Sequence, residues 1–155
     1  MRIIRGKNKG KKIYLPVDKS TRPLRDLVKE SIFNLIEHSN QFNVSIANSI
    51  VLDLFSGTGS FGLECHSRGA KFITFVENYI HILDILKKNI SNMNALTCSE
   101  IIEKNCFELM NEKKKFSKTF DIIFLDPPFK CRHINILINQ IYEQKILNKN
   151  GIILI

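Results

Sequence analysis

The stretch from residue 49 to 62, Ser-Ile-Val-Leu-Asp-Leu-Phe-Ser-Gly-Thr-Gly-Ser-Phe-Gly, limits the possible folds of this chain more than any other. A short apolar run, Ile50-Val51-Leu52, is broken by Asp53 and then opens into a turn carrying Gly57, Gly59 and Gly62. That order predicts a buried parallel strand, a tight loop and the first turn of a helix. Glycines there permit backbone angles closed to other residues and let a ligand approach the main chain. The helix that follows aims unpaired N–H groups at whatever occupies the loop. A ligand-binding turn is therefore expected, and the remaining residues must say which ligand.

From that point strands and helices alternate. Helical spacing is expected over Phe61–Arg68, Ile80–Ile90, about Phe107–Asn111, and Ile134–Leu147. Strands are expected at Lys71–Glu77, about Ser99–Glu103 and Phe120–Leu125, with Asn150-Gly151 as a turn and Ile152–Ile155 opening a last strand. Repeated alternation of this kind means an α/β fold with a parallel, doubly wound sheet. Ahead of it, Met1–Leu15 alternates apolar and basic positions around Gly6 and Gly10, which fits a small hairpin with one basic face. A helix should start near Thr21-Arg22-Pro23 and run to about His38.

A chain of 155 residues makes one domain. Within it we separate a basic N-terminal arm, residues 1–22, from the sheet domain, residues 23–155. No apolar run approaches a membrane span, and the four cysteines form no C-x-x-C pair. A reduced, metal-free, cytoplasmic protein is expected. The net charge of +8 is unevenly spread: residues 1–30 hold ten Lys/Arg against three acids, leaving thirteen against twelve elsewhere. Four of the six arginines (Arg2, Arg5, Arg22, Arg25) lie in that first segment, together with Lys7, Lys11, Lys12 and Lys29. Arginine forks match phosphate, so a nucleic acid is the expected partner of these eight residues. The rival reading is a solvated, lysine-rich tail.

Ligands of doubly wound sheets sit beyond the carboxyl ends of the strands. Glu77 falls there, twenty residues after Gly57, the separation expected of a carboxylate that accepts from ribose hydroxyls. Adenosine is thus expected in the ligand. A nicotinamide dinucleotide would also satisfy Gly57-Thr58-Gly59-Ser60-Phe61-Gly62. Asp53 argues against it, because a carboxylate at the end of a buried strand needs a cationic partner and would repel a pyrophosphate. The ammonium of S-adenosylmethionine is such a cation. Asp126-Pro127-Pro128-Phe129 supplies the second clue. Its prolines fix the Asp126 carboxylate and the Pro127 carbonyl as two acceptors suited to an exocyclic amine, and Phe129 offers a face on which a base can stack.

Val-Leu-Asp-Leu-Phe-Ser-Gly-Thr-Gly at 51–59 and Asp-Pro-Pro-Phe at 126–129 resemble motifs of S-adenosylmethionine-dependent amino-methyltransferases. Met-Arg-Ile-Ile-Arg-Gly at 1–6, Lys11-Lys12-Ile13, and Thr21-Arg22-Pro23 with Lys29-Glu30-Ser31-Ile32-Phe33-Asn34 are similar to the RsmD family. That resemblance implies the Rossmann-like class I methyltransferase fold; a monomer is expected. It also implies methyl transfer to guanine N2 in 16S ribosomal RNA, free or within an assembling small subunit. Asp126, Pro127 and Phe129 would be catalytic. Asp53, Phe55, Gly57 and Gly59 would hold the methionine part, Glu77 the ribose, and Asn105 with Cys106 the adenine edge. The family's Gly-Asp-Ala-like stretch is replaced here by Lys104-Asn105-Cys106, which removes charge assistance. The family's sheet also continues past a fifth strand, inside which this sequence stops, so a fold truncated after that strand is expected. A DNA amino-methyltransferase and an inactive RNA-binding protein are the alternatives.

Overall fold

A computed structural model describes residues 1–17, 26–112, 116–128, 131 and 133–155. Helix α1 spans Asp26–His38, and the expected start at Thr21-Arg22-Pro23 lies outside the described residues. The order continues as β1 Ile50–Leu54, α2 Ser60–Ser67, β2 Phe72–Val76, α3 Ile80–Asn92 and β3 Ser99–Ile102. It closes with α4 Cys106–Asn111, β4 Phe120–Leu125, α5 Ile134–Glu143 and β5 Leu147–Leu154.

The five strands form one sheet in the order β3-β2-β1-β4-β5, and every pair is parallel. Side chains alternate between two buried faces, which is why the strands read as continuous apolar runs. Val51, Ile73, Phe75, Ile122 and Phe124 enter the core shared with α1, α2 and α3. Leu52, Leu54, Val76, Ile123 and Leu125 enter the core shared with α4 and α5. A column of rings crosses the first core: Phe33 stacks on Phe61 at 5.1 Å and Phe61 on Phe124 at 4.0 Å. The chain leaves β1 toward β2 on one side and returns to β4 on the other. The switch point of the doubly wound sheet therefore lies between β1 and β4.

The N-terminal hairpin forms, with Arg2 and Lys12 in antiparallel register and Gly6 and Gly10 at positive φ. It is not an appended arm. Ile3 and Ile13 are fully buried in the first core, burial worth roughly 1.5–3 kcal/mol for each side chain. Glu64, buried in α2, accepts from the Ile4 and Arg5 backbone N–H groups at 2.8 and 2.9 Å and from Arg68 Nε at 2.9 Å. The hairpin is thus sewn to α2 and shares the core of the sheet.

The last elements differ from expectation: α5 stops at Glu143 instead of running to Leu147, and β5 opens at Leu147 instead of Ile152. Asn150-Gly151 is not a turn between α5 and the last strand but lies inside β5. The register jumps from Phe120↔Leu147 to Ile122↔Ile152, so a bulge in β5 absorbs these residues. Gly151 fits because a Cβ there would stand 3.0 Å from the Phe120 carbonyl oxygen.

Candidate active site

The turn after β1 is built by three glycines with three different jobs. Gly57 (φ 54°) faces open space, so nothing packs where its Cβ would be. Gly59 (φ 79°) lies against Leu86, which a Cβ would meet at 2.6 Å. A Cβ on Gly62 would meet the Phe75 ring at 2.4 Å, so its absence brings α2 down onto β2. Only Gly57 is left to a ligand. Phe55 also takes a positive φ (60°), unusual for a residue with a side chain, and turns toward Phe107 with ring centroids 6.2 Å apart.

Asp53 is 1% exposed, and its Oδ2 accepts from Gly62 N at 3.0 Å. The loop-amide role is therefore present, and it does not neutralise the group. Burial pushes the carboxyl well above the ordinary carboxylate range, and the charges of Asp126 and Glu77 add to the rise against the Gly62 bond. A desolvated acid of this kind is the place for a cation. At the tip of β2, Glu77 Oε2 accepts from Gly57 N at 2.8 Å, while Oε1 accepts from Asn78 N and Tyr79 N at 2.9 Å each. The carboxylate expected on a ribose thus also braces the turn.

A cleft of about 410 Å³ lies beyond the strand ends, lined by Phe55, Asn78, Asn105, Phe107, Pro128, Cys131 and His133. Its volume falls in the usual range for a small-molecule site, roughly 300–1,000 Å³. Asn105 lines it while capping α4, its Oδ1 accepting from Phe107 N at 2.9 Å; a second lone pair of that oxygen remains for a ligand. Cys106 comes to the same place but faces the second core, where burial pushes its thiol up to about 12 against the lowering effect of a bond to the Phe55 backbone. It supports the wall and does not face the ligand. Phe107 and Asn78 were not singled out by sequence. Their positions just past β3 and β2 were the available signal.

Across the switch point, Leu54 pairs with Leu125, so the turn and Asp126 leave neighbouring strands at one level. Asp126 is exposed by area, yet enough protein crowds its carboxyl that desolvation raises it above the usual value. Phe129 lies outside the described residues. An open Gly57, an acid in need of a cation and a carboxylate at the β2 tip fit the amino, carboxyl and ribose groups of S-adenosylmethionine.

The basic residues divide. Arg2, Lys7 and Lys12 are exposed. Arg5 Nη1 donates to Glu37 at 3.0 Å, and Lys11 Nζ donates to the Asn92 carbonyl at 3.2 Å. Arg22 and Arg25 lie outside the described residues. Lys29 is corrected: its side chain is fully buried, donating to the Arg2 carbonyl at 2.8 Å and paired with Glu64 at 3.6 Å. It holds the hairpin and cannot reach a phosphate. Desolvation lowers its ammonium below the usual lysine value, against the pull of Glu64 and Asp26.

The family model described as Conserved hypothetical protein 95 matches residues 1–155. Ribosomal RNA small subunit methyltransferase D of Buchnera aphidicola is 35% identical over 153 residues, 99% of this chain and 75% of that protein. Its Haemophilus influenzae namesake is 34% identical over 158 residues, 99% of this chain and 76% of that protein. The solved structure of yhhF from Escherichia coli, described as a candidate methyltransferase, superposes with a TM-score of 0.80 at 30% identity. That superposition covers 99% of this chain and 77% of yhhF. The turn, the β2 acid and the Asp-Pro-Pro corner are therefore features of a chain that belongs to the Conserved hypothetical protein 95 family, alongside the ribosomal RNA small subunit methyltransferase D proteins.

Proposed function

We propose that the chain transfers the methyl group of S-adenosylmethionine to the exocyclic N2 amine of a guanine in 16S ribosomal RNA. One observation carries the reading: Asp53, near the end of β1, and Asp126, just past the end of the adjacent β4, flank the switch point, and desolvation raises both carboxyls. One suits the cation of the donor and the other the amine of the acceptor. The relatives' names supply the substrate class.

S-adenosylmethionine, when bound, supplies an electrophilic sulfonium methyl. The chain's own part is placement. Asp53 would receive the ammonium, the turn N–H groups the carboxylate, Glu77 the ribose and Asn105 the adenine amine. Asp126 and the Pro127 carbonyl would accept from the guanine amine and aim its lone pair at the methyl. Such positioning removes about 7–11 kcal/mol from a bimolecular barrier. A carboxyl held above its usual value takes a proton more readily as the amine loses one. Phe129 would receive the unstacked base.

Asp126→Ala should abolish methyl transfer while leaving cofactor affinity within a few-fold of the parent, by calorimetry. The deciding experiment incubates the protein and labelled S-adenosylmethionine with stripped ribosomal RNA, small-subunit particles and DNA, then identifies labelled nucleosides by mass spectrometry. N2-methylguanosine supports the reading. Label on DNA adenine or cytosine would replace it with the DNA amino-methyltransferase, and tight RNA binding without label would favour an inactive binder.

A further inference from the structure

The course of the hairpin's second strand leads to a surface that the methyl-transfer site does not use. That strand runs along α3 from its end toward its start. Asn8 Nδ2 donates to the Met93 carbonyl at 3.1 Å, and Asn92 Nδ2 to the Lys12 carbonyl at 3.2 Å. Asn89, buried, then clasps Tyr14 from both sides: its Oδ1 accepts from Tyr14 N at 2.8 Å and its Nδ2 donates to the Tyr14 carbonyl at 3.0 Å. The same Nδ2 reaches the Thr58 carbonyl of the glycine turn at 2.9 Å. Beyond Tyr14 the chain passes Pro16 and Val17, which face Tyr79, His81 and Ile85 across a groove of about 350 Å³.

Two aromatic residues therefore lie along α3 with their backbones fixed, Tyr79 at its start and Tyr14 beside Asn89. Tyr14 is 38% exposed, and Lys88 Nζ sits 4.2 Å from its ring centroid. Tyr79 is 39% exposed, meets His81 edge-on at 5.2 Å, and is held through its N–H by Glu77. Both rings keep part of their faces open to solvent, and a lysine stands over the first. Every nucleobase presents a flat π surface, and a backbone phosphate next to it is drawn to a lysine. The tip of the hairpin is different: Lys7 N donates to the Ser67 carbonyl at the far end of α2, away from the cleft.

We propose that Tyr14 and Tyr79, with Lys88 and His81, form a stacking platform for unpaired ribonucleotides flanking the target base. The inference rests on RNA being the substrate. The ends of β2 and β4, which lead to Tyr79 and to Asp126, lie two strands apart, roughly 10 Å, a gap that one strand of RNA could span.

The protein has no tryptophan and three tyrosines, so tyrosine emission reports directly on the platform once Tyr142→Phe is introduced. Titration with a short unpaired oligoribonucleotide, without cofactor, should quench that emission. Tyr14→Ala and Tyr79→Ala should each weaken binding about 5- to 150-fold, whereas Tyr14→Phe and Tyr79→Phe, which keep the ring, should bind as the parent does. Lys9→Ala at the hairpin tip should change little. Absence of quenching, or Ala variants that bind as tightly as the parent, would overturn the platform. So would quenching by a protein extract from which RNA has been digested but none by RNA. Methylated guanosine with an unchanged KM for RNA in both Ala variants would sink the platform and leave the enzyme reading standing. Ring-dependent RNA binding without any methylated nucleoside would do the reverse.

Discussion

Asp53 is the residue to which the proposed function gives the donor's ammonium, and its chemistry gives a pH signature. Burial raises its carboxyl, so the folded chain holds that proton more tightly than the unfolded chain, whose Asp titrates near about 3.9. The stability tied to this proton is complete below about pH 3.9 and is lost as pH rises through the higher folded value. Asp53→Asn should remove that loss, making the ligand-free protein more resistant to urea at neutral pH while cofactor binding falls at least tenfold. In the parent, binding a cation beside Asp53 should release a proton, seen as a dependence of calorimetric heat on buffer ionisation. The unusual position of Asp53 was legible because a charge interrupts an apolar run. Lys29 was not legible. Its partner Glu64 is distant in sequence, and a lysine on a helix reads as solvated until the fold brings the acid to it.

At the level of elements, strands with apolar runs could be read directly: Phe120–Leu125 emerges with its expected ends. The edge strand β3 is short and half exposed, so its pattern was weak. Asn150-Gly151 misled because turn chemistry and a strand bulge demand the same residues. The glycine turn separates two effects that sequence merges. Gly62→Ala drives a methyl into the Phe75 ring and should cost about 1–3 kcal/mol in denaturant unfolding, as overpacked cores do. Gly57→Ala meets no atom and should cost only the left-handed backbone, about 1–2 kcal/mol, yet it places a methyl where the ligand must come. Its larger effect should therefore appear in cofactor affinity, by calorimetry on the two variants side by side.

For the whole molecule, the concentration of positive charge near the N-terminus was plain from counting, but its attachment was not. An exposed arm could be cut away without harm. A hairpin that contributes Ile3 and Ile13 to the core cannot, so removal of residues 1–12 would destabilise the fold as well as remove charge. Charge is better removed in place. Arg2→Ala and Lys12→Ala should each lower the slope of log affinity for RNA against log salt by about one, with thermal unfolding unchanged. An unmoved slope for both would put the phosphate contacts on another face.

Thiol reactivity follows from where the cysteines sit. Cys65 and Cys106 are buried and disfavour the thiolate, whereas Cys131 lies in the wall of the cleft. Because the thiolate is the nucleophile, iodoacetamide should label Cys131 well before the two buried thiols. Saturating S-adenosylhomocysteine should slow that labelling, and peptide mapping would read occupancy of the cleft with no substrate present.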